Sequence, residues 1–149
     1  MNTQVQHLKV AIKRVDKSLP LPVYATGGSV GFDLLCRENV EILPRHIELI
    51  PGNVIVRIPV GYFLMLTLRS STPRRKSLLI PNGVGIIDQD YCGEGDELRV
   101  QVLNFSEEAV LVKKGERIAQ GLFLPVMRVE WEEIETLGEG RGGFGSTGE

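Results

Sequence analysis

Cysteine and histidine are scarce in this chain, with two of each in 149 residues, and that scarcity excludes whole classes of protein. Cys36 and Cys92 cannot make a disulfide framework or a metal knuckle, and both read as packing residues. His7 and His46 lie in polar stretches and read as surface residues, neither ligands nor bases. No apolar run reaches the length needed to cross a bilayer, and the N-terminus lacks the apolar centre of a signal peptide. Cytoplasmic residence with no membrane partner is therefore the expectation. Charge of one sign is missing too: 17 Lys and Arg stand against 19 Asp and Glu, a net of −2. That balance argues against broad affinity for nucleic acid or anionic lipid. A polyanionic ligand would have to be held by a few placed cations and backbone N–H groups, with a metal ion sharing the charge.

Long helical periodicity is also absent. Hardly any window sustains apolar spacing at i, i+3, i+4 and i+7 for three turns. Short β-prone runs take its place: Lys9 to Val15, Val54 to Ile58, Tyr62 to Leu68, Leu98 to Leu103, Ala109 to Val112, Ile118 to Val126 and Val129 to Trp131. With 17 Gly and 8 Pro as punctuation, these predict a single all-β domain, a barrel or a sandwich. Residues 1–137 form that domain, and 138–149 form a glycine-rich tail. Thr72-Pro73-Arg74-Arg75-Lys76 reads as a short basic loop on the surface. Phe144, alone among glycines, is out of place in a tail that only solubilises.

The most informative stretch runs Gly83-Val84-Gly85-Ile86-Ile87-Asp88-Gln89-Asp90-Tyr91-Cys92-Gly93. It sets a carboxylate at the end of an apolar run, then a second carboxylate, an aromatic ring and a glycine. Read alone, it is a β-hairpin with a polar tip. Four more stretches accompany it in order: Val30-Gly31-Phe32-Asp33-Leu34-Leu35-Cys36, Arg69-Ser70, Gly115-Glu116-Arg117-Ile118-Ala119-Gln120 and Gly142-Gly143-Phe144-Gly145-Ser146-Thr147-Gly148. Together these resemble the five motifs of the trimeric dUTP pyrophosphatases (dUTPases), and the resemblance runs from about Val10 to the C-terminus.

That resemblance implies a distorted jelly-roll β-barrel assembled as a homotrimer, with each site drawing on three subunits. It implies hydrolysis of dUTP to dUMP and pyrophosphate with Mg²⁺, limiting uracil in DNA and supplying dTMP synthesis. Asp88 resembles the general base that activates water, and Asp33 the aspartate that supports Mg²⁺ through its water shell. Ser70 resembles the serine at the α–β bridging oxygen, with Ser71 beside it, and Arg69 a phosphate or intersubunit partner. Gln120 resembles the glutamine that contacts phosphate and holds the water network, whereas Arg117 reads as structural. Asn82, Gly85 and Ile87 would line the uracil pocket, and Tyr91 would pack on the deoxyribose and exclude a 2′-hydroxyl. Phe144, with Gly145 and Ser146, would close over base and phosphates as a lid.

Three features depart from the family pattern. Ser71 stands where a glycine usually follows Arg-Ser. Glu139 stands where an arginine usually precedes the tail aromatic, leaving Arg141 to reach the phosphates. Gly95-Asp96-Glu97 looks like a short insertion without an assigned role. Two other readings remain open: a dCTP deaminase of the same superfamily, and a non-catalytic nucleotide-binding regulator. The deaminase reading places a glutamate three residues before Asn104, where this chain has Gln101, which cannot act as a carboxylate base.

Overall fold

The computed structural model describes residues 8–140 and 142. Its strands are β1 (Ala11–Arg14), β2 (Phe32–Leu35), β3 (Val40–Ile42), β4 (Ile47–Pro51), β5 (Val54–Arg57), β6 (Tyr62–Leu68), β7 (Leu78–Leu79), β8 (Gly85–Ile87), β9 (Arg99–Asn104), β10 (Val110–Val112) and β11 (Arg117–Pro125). One short helix, α1 (Thr72–Lys76), interrupts them, so the all-β expectation holds. Four antiparallel sheets result, ordered β1-β5, β10-β3, β2-β11-β6-β8 and β4-β9-β7. Among the described residues no helix is long and apolar enough to cross a membrane.

The four-stranded sheet positions the site. In β6 the alternation of side chains sends Leu64 and Leu66 inward, 0% and 1% exposed. Each such leucine is worth about 1.5–3 kcal/mol of burial. Gly61 ends the preceding turn with φ +86°, where the Tyr62 N–H donates to the Pro59 carbonyl at 3.1 Å. A side chain at Gly61 would strain that turn. The core is completed by Leu34, Ile42, Ile50, Val56, Leu98 and Val102. Cys36 joins it at 1% exposure, and burial pushes its thiol pKa up to about 11. It is a packing residue, as expected.

Three local expectations are corrected. Asn82 and Gly83 do form a turn, with the Gly83 N–H donating to the Ile80 carbonyl at 3.1 Å. The β-hairpin read over Gly83 to Gly93 does not form, however: within that stretch β8 pairs only with β6, while β7 before it and β9 after it pair with each other. The basic stretch from Thr72 is helical. Pro73 suits the first turn, the basic side chains sit at the carbonyl end, and Ser77 closes the helix in the left-handed region at φ 54°. Residues Val129 to Trp131 form no strand, because no backbone partner meets them among the described residues; Trp131 is 92% exposed.

Candidate active site

The register of β2, β11 and β6 gathers one set of candidate residues. Asp33 on β2 lies opposite Gln120 on β11, and Gln120 lies opposite Thr67 on β6. Arg69 and Ser70 follow directly where β6 ends. Asp33 is buried, and each of its carboxylate oxygens takes an arginine. Arg69 Nε reaches Oδ1 at 3.1 Å, and Arg117 Nη1 reaches Oδ2 at 3.3 Å. A register shift between Arg117 and Ala119 is a bulge that leaves Ile118 without a partner and sets Arg117, paired with Leu35, on the face that carries Asp33. Arg117 therefore reaches the site as a charged group. The Arg69 N–H donates to the Ile118 carbonyl at 3.0 Å, and Thr72 Oγ1 donates to the same carbonyl at 3.0 Å. Ser70 is exposed beside them, and Ser71 begins α1.

An open cleft of about 240 Å³ follows this cluster, lined by Arg69, Ser71, Arg75, Lys76, Glu116 and Arg117 among others. Lys76 is paired with Glu116 at 2.8 Å. Four cations (Arg69, Arg75, Lys76, Arg117) thus face two carboxylates (Asp33, Glu116), a local excess of two positive charges in a chain of net −2. Such a place suits an anion with several oxygens. Gln120 is held close: a Cβ built on Gly31 would stand 2.8 Å from its Oε1. That contact explains the glycine of the first motif.

The second set lies on and after β8. Gly85 packs its backbone against Leu66, where an added Cβ would stand 3.2 Å from the Leu66 Cβ. Asn82 and Gly85 border a groove of about 160 Å³, with Ile86, Leu49, Arg99 and Gln101. Ile87 is partly buried, and Asp88 beyond it is exposed. The Tyr91 N–H donates to the Asp88 carbonyl at 3.3 Å. Gln89 Nε2 donates to the Tyr62 carbonyl at 2.8 Å and fixes the chain beside Asp88. The Tyr91 hydroxyl donates to the Glu97 carbonyl at 3.2 Å.

One chain does not bring the two sets together. Ile87 pairs with Leu64, so Asp88 sits at the start of β6, whereas Arg69 lies five residues beyond Leu64 at its end. At about 3.3 Å per residue that is about 17 Å along the sheet. The outward face of the β4-β9-β7 sheet is also unusual, with Ile47 52% and Leu49 46% exposed and Ile86 nearby at 55%. A solvated sheet face would carry polar residues there. Arg141, Phe144, Gly145 and Ser146 fall outside the described residues. Among the described residues no cluster of three His, Cys, Asp or Glu side chains could hold a metal ion.

Sequence reasoning missed Glu97. Its carboxylate is buried, accepting from Arg37 Nε at 2.8 Å and from the Asn53 N–H at 2.9 Å. The Arg37 pKa is raised, chiefly by that bond from Glu97. Its only signal was an acidic residue running straight into Leu98, the buried residue before β9. Asn104 is buried as well, with its amide fully engaged by Ile42, Glu108 and Ser106, a structural duty.

Comparison with known proteins adds the rest. A dUTPase family model matches residues 17–148. The deoxyuridine 5'-triphosphate nucleotidohydrolase of Dictyoglomus turgidum is 42% identical over 149 residues, covering 95% of this chain and 99% of that protein. The crystal structure of dUTPase from Streptococcus mutans superimposes with a TM-score of 0.74 at 32% identity, covering 80% of this chain and 98% of the other. Staphylococcus bacteriophage 80alpha dUTPase, solved with dUPNHPP, gives a TM-score of 0.82 at 26% identity, covering 94% and 98%.

Proposed function

This chain belongs to the dUTPase family, and on that footing we propose that it hydrolyses dUTP to dUMP and pyrophosphate. The observation that carries the reading is the cationic cluster fixed by Asp33 at one end of β6, matched by an exposed carboxylate, Asp88, at the other. Water attacks the α-phosphorus: its oxygen forms the new P–O bond, the bond to the α–β bridging oxygen breaks, and pyrophosphate leaves. Asp88 accepts the proton of the attacking water. Ser70 donates to the bridging oxygen as charge develops there, and Arg69 and Gln120 engage the phosphates. Ser71 adds a further donor at the head of α1. Asn82, Gly85 and Ile87 receive the uracil edge, and Tyr91 bars the 2′-hydroxyl. Arg141, Phe144, Gly145 and Ser146 belong to the tail that covers the bound nucleotide.

Mg²⁺ would be carried on the phosphates of the substrate, with Asp33 the residue placed to hold it. Asp33 spends two of its roughly four acceptor positions on arginines, so it fits contact through the water shell of a hydrated ion and not direct ligation. Bound there, the ion would offset phosphate charge. The separation of about 17 Å along β6 supports a site completed by another copy of the chain. The apolar outer face of β4-β9-β7 supports a trimer that covers it. Cytoplasmic residence and a part in keeping uracil out of DNA follow from the same reading.

The test is pyrophosphate release from dUTP, dCTP, dTTP and UTP with Mg²⁺, with the nucleotide product identified by chromatography. dUMP formed from dUTP alone is the expected result. Ammonia released from dCTP would overturn it in favour of a deaminase, and binding without turnover would leave a regulator. Sedimentation of an active monomer would refute the shared site.

A further inference from the structure

We infer that the part-buried Arg37–Glu97 ion pair is a positioning device for Tyr91, and through it for discrimination between deoxyribose and ribose. The inference rests on the reading of Tyr91 as the wall against the 2′-hydroxyl and adds the residues that hold the wall in place.

Tyr91 sits in the connection between Ile87, the last residue of β8, and Arg99, the first of β9, where no ladder fixes the backbone. The connection is braced internally. The Cys92 N–H donates to the Asp90 carbonyl at 3.0 Å and the Asp96 N–H to the Gly93 carbonyl at 3.1 Å. The Gly93 N–H donates to Asp96 Oδ2 at 2.6 Å. Short-range bonds of this kind shape a turn without fixing its place against the strands. Gln89, bonded to the Tyr62 carbonyl at 2.8 Å, and Glu94, paired with Lys13, tie parts of the connection to the strands. Glu97 supplies the fixed place to which the Tyr91 hydroxyl itself is bonded. The Glu97 side chain, 7% exposed, is gripped by Arg37 Nε at 2.8 Å and by the Asn53 N–H at 2.9 Å. Its carbonyl takes the Tyr91 hydroxyl at 3.2 Å, and the next residue enters the core through Leu98 N–H to the Val54 carbonyl at 2.8 Å.

Each anchor is itself held. The Arg37 N–H donates to the Pro51 carbonyl at 2.9 Å, two residues past the end of the strand that carries Asp33. Asn53, a non-glycine residue at φ 69°, is locked by paired bonds with the Asp16 backbone at 2.7 and 3.1 Å. A residue in that left-handed conformation persists where its surroundings over-determine it. An ion pair with one partner buried and the other partly shielded contributes little net stability; here it supplies a fixed point. The stretch Gly95-Asp96-Glu97, without a role in the sequence, is the tether that delivers Glu97 to Arg37.

The test measures kcat/KM for dUTP and UTP and compares their ratio across variants. Tyr91→Ala should collapse the ratio. Arg37→Gln and Tyr91→Phe should each lower it roughly three- to tenfold, the range of one lost hydrogen bond. Combining them should lower it no further, since both act through one contact. Arg37→Lys should recover part of the loss. A merely structural role would lower both activities together and leave the ratio unchanged. If Arg37→Gln fails to fold, Tyr91→Phe carries the test, because it deletes one hydroxyl from a side chain at the surface. A wild-type ratio in folded Arg37→Gln and Tyr91→Phe, with a collapsed ratio in Tyr91→Ala, would overturn the positioning role alone. An unchanged ratio in Tyr91→Ala would overturn the sugar wall and the inference with it.

Discussion

Gly121→Ala should destabilise the protein by an amount that can be worked from one contact. Gly121 on β11 faces Phe32 on β2. A Cβ added there would stand 2.5 Å from the Phe32 Cζ and 2.8 Å from its Cε2. Carbon atoms settle at about 3.5–4.0 Å, so the shortfall is about 1 Å. The ring has nowhere cheap to go. It is 6% exposed, meets Tyr24 edge-on at 6.1 Å and lies tilted against Phe123 at 5.8 Å. Overpacking of this kind costs about 1–3 kcal/mol. At about 2–4 °C per kcal/mol for a chain of this size, the melting temperature should drop by about 2–12 °C at matched protein concentration. The next rung of the ladder pairs Asp33 with Gln120, so displacement of β2 should also lower kcat/KM for dUTP. Calorimetry and pyrophosphate release measure the two effects. Phe32→Leu in the same chain should relieve the clash, leaving the double variant more stable than the two single losses predict. Additive losses, or a melting temperature within about 1 °C of wild type, would refute the steric argument.

Gly31→Ala should displace the Gln120 amide, because the new methyl would stand 2.8 Å from Oε1. Turnover should fall about tenfold or more with little change in melting temperature. Asp88→Asn should lower kcat by about 10²–10⁴-fold while dUTP binding, followed by calorimetry, is kept. Cys36 has its thiol pushed from 9.0 to about 11, so the folded state holds this proton more tightly than the unfolded chain. The resulting stabilisation is complete below pH 9 and is lost as pH rises toward 11, worth about 2–3 kcal/mol. Denaturant titrations of Cys36→Ala should show a flatter decline across that window than wild type.

Much of this architecture is legible in single stretches of sequence. Tyr62 to Leu68 is rich in β-prone residues, is bounded by a glycine turn, and is β6 residue for residue. What escapes is whatever depends on distant partners. Val129 to Trp131 has strand propensity, but a strand exists only where a second backbone meets it. The basic stretch at Thr72 is too short for periodicity to show, and its helix depends on Pro73 at one end and a left-handed Ser77 at the other. Asn82-Gly83 stands at a turn; which strands its arms join is settled by the sheets they enter. In the candidate site, the motifs name Asp33, Arg69 and Gln120 one by one and leave their contacts unseen, since the ladder sets Asp33 opposite Gln120 and a bulge brings Arg117 onto the same face. Glu97 was opaque because its meaning lies in Arg37, sixty residues away.

Strand β6 keeps Arg69 and Asp88 at opposite ends, and under the shared-site reading that separation has a genetic consequence. Each chain lends one end to one site and its other end to a different site. A chain without Asp88 and a chain without Ser70 are therefore complementary losses. Each is silent in a pure population, but when the two alleles are expressed together their intact ends can meet and restore turnover in a share of the sites. A chain lacking both ends rescues neither.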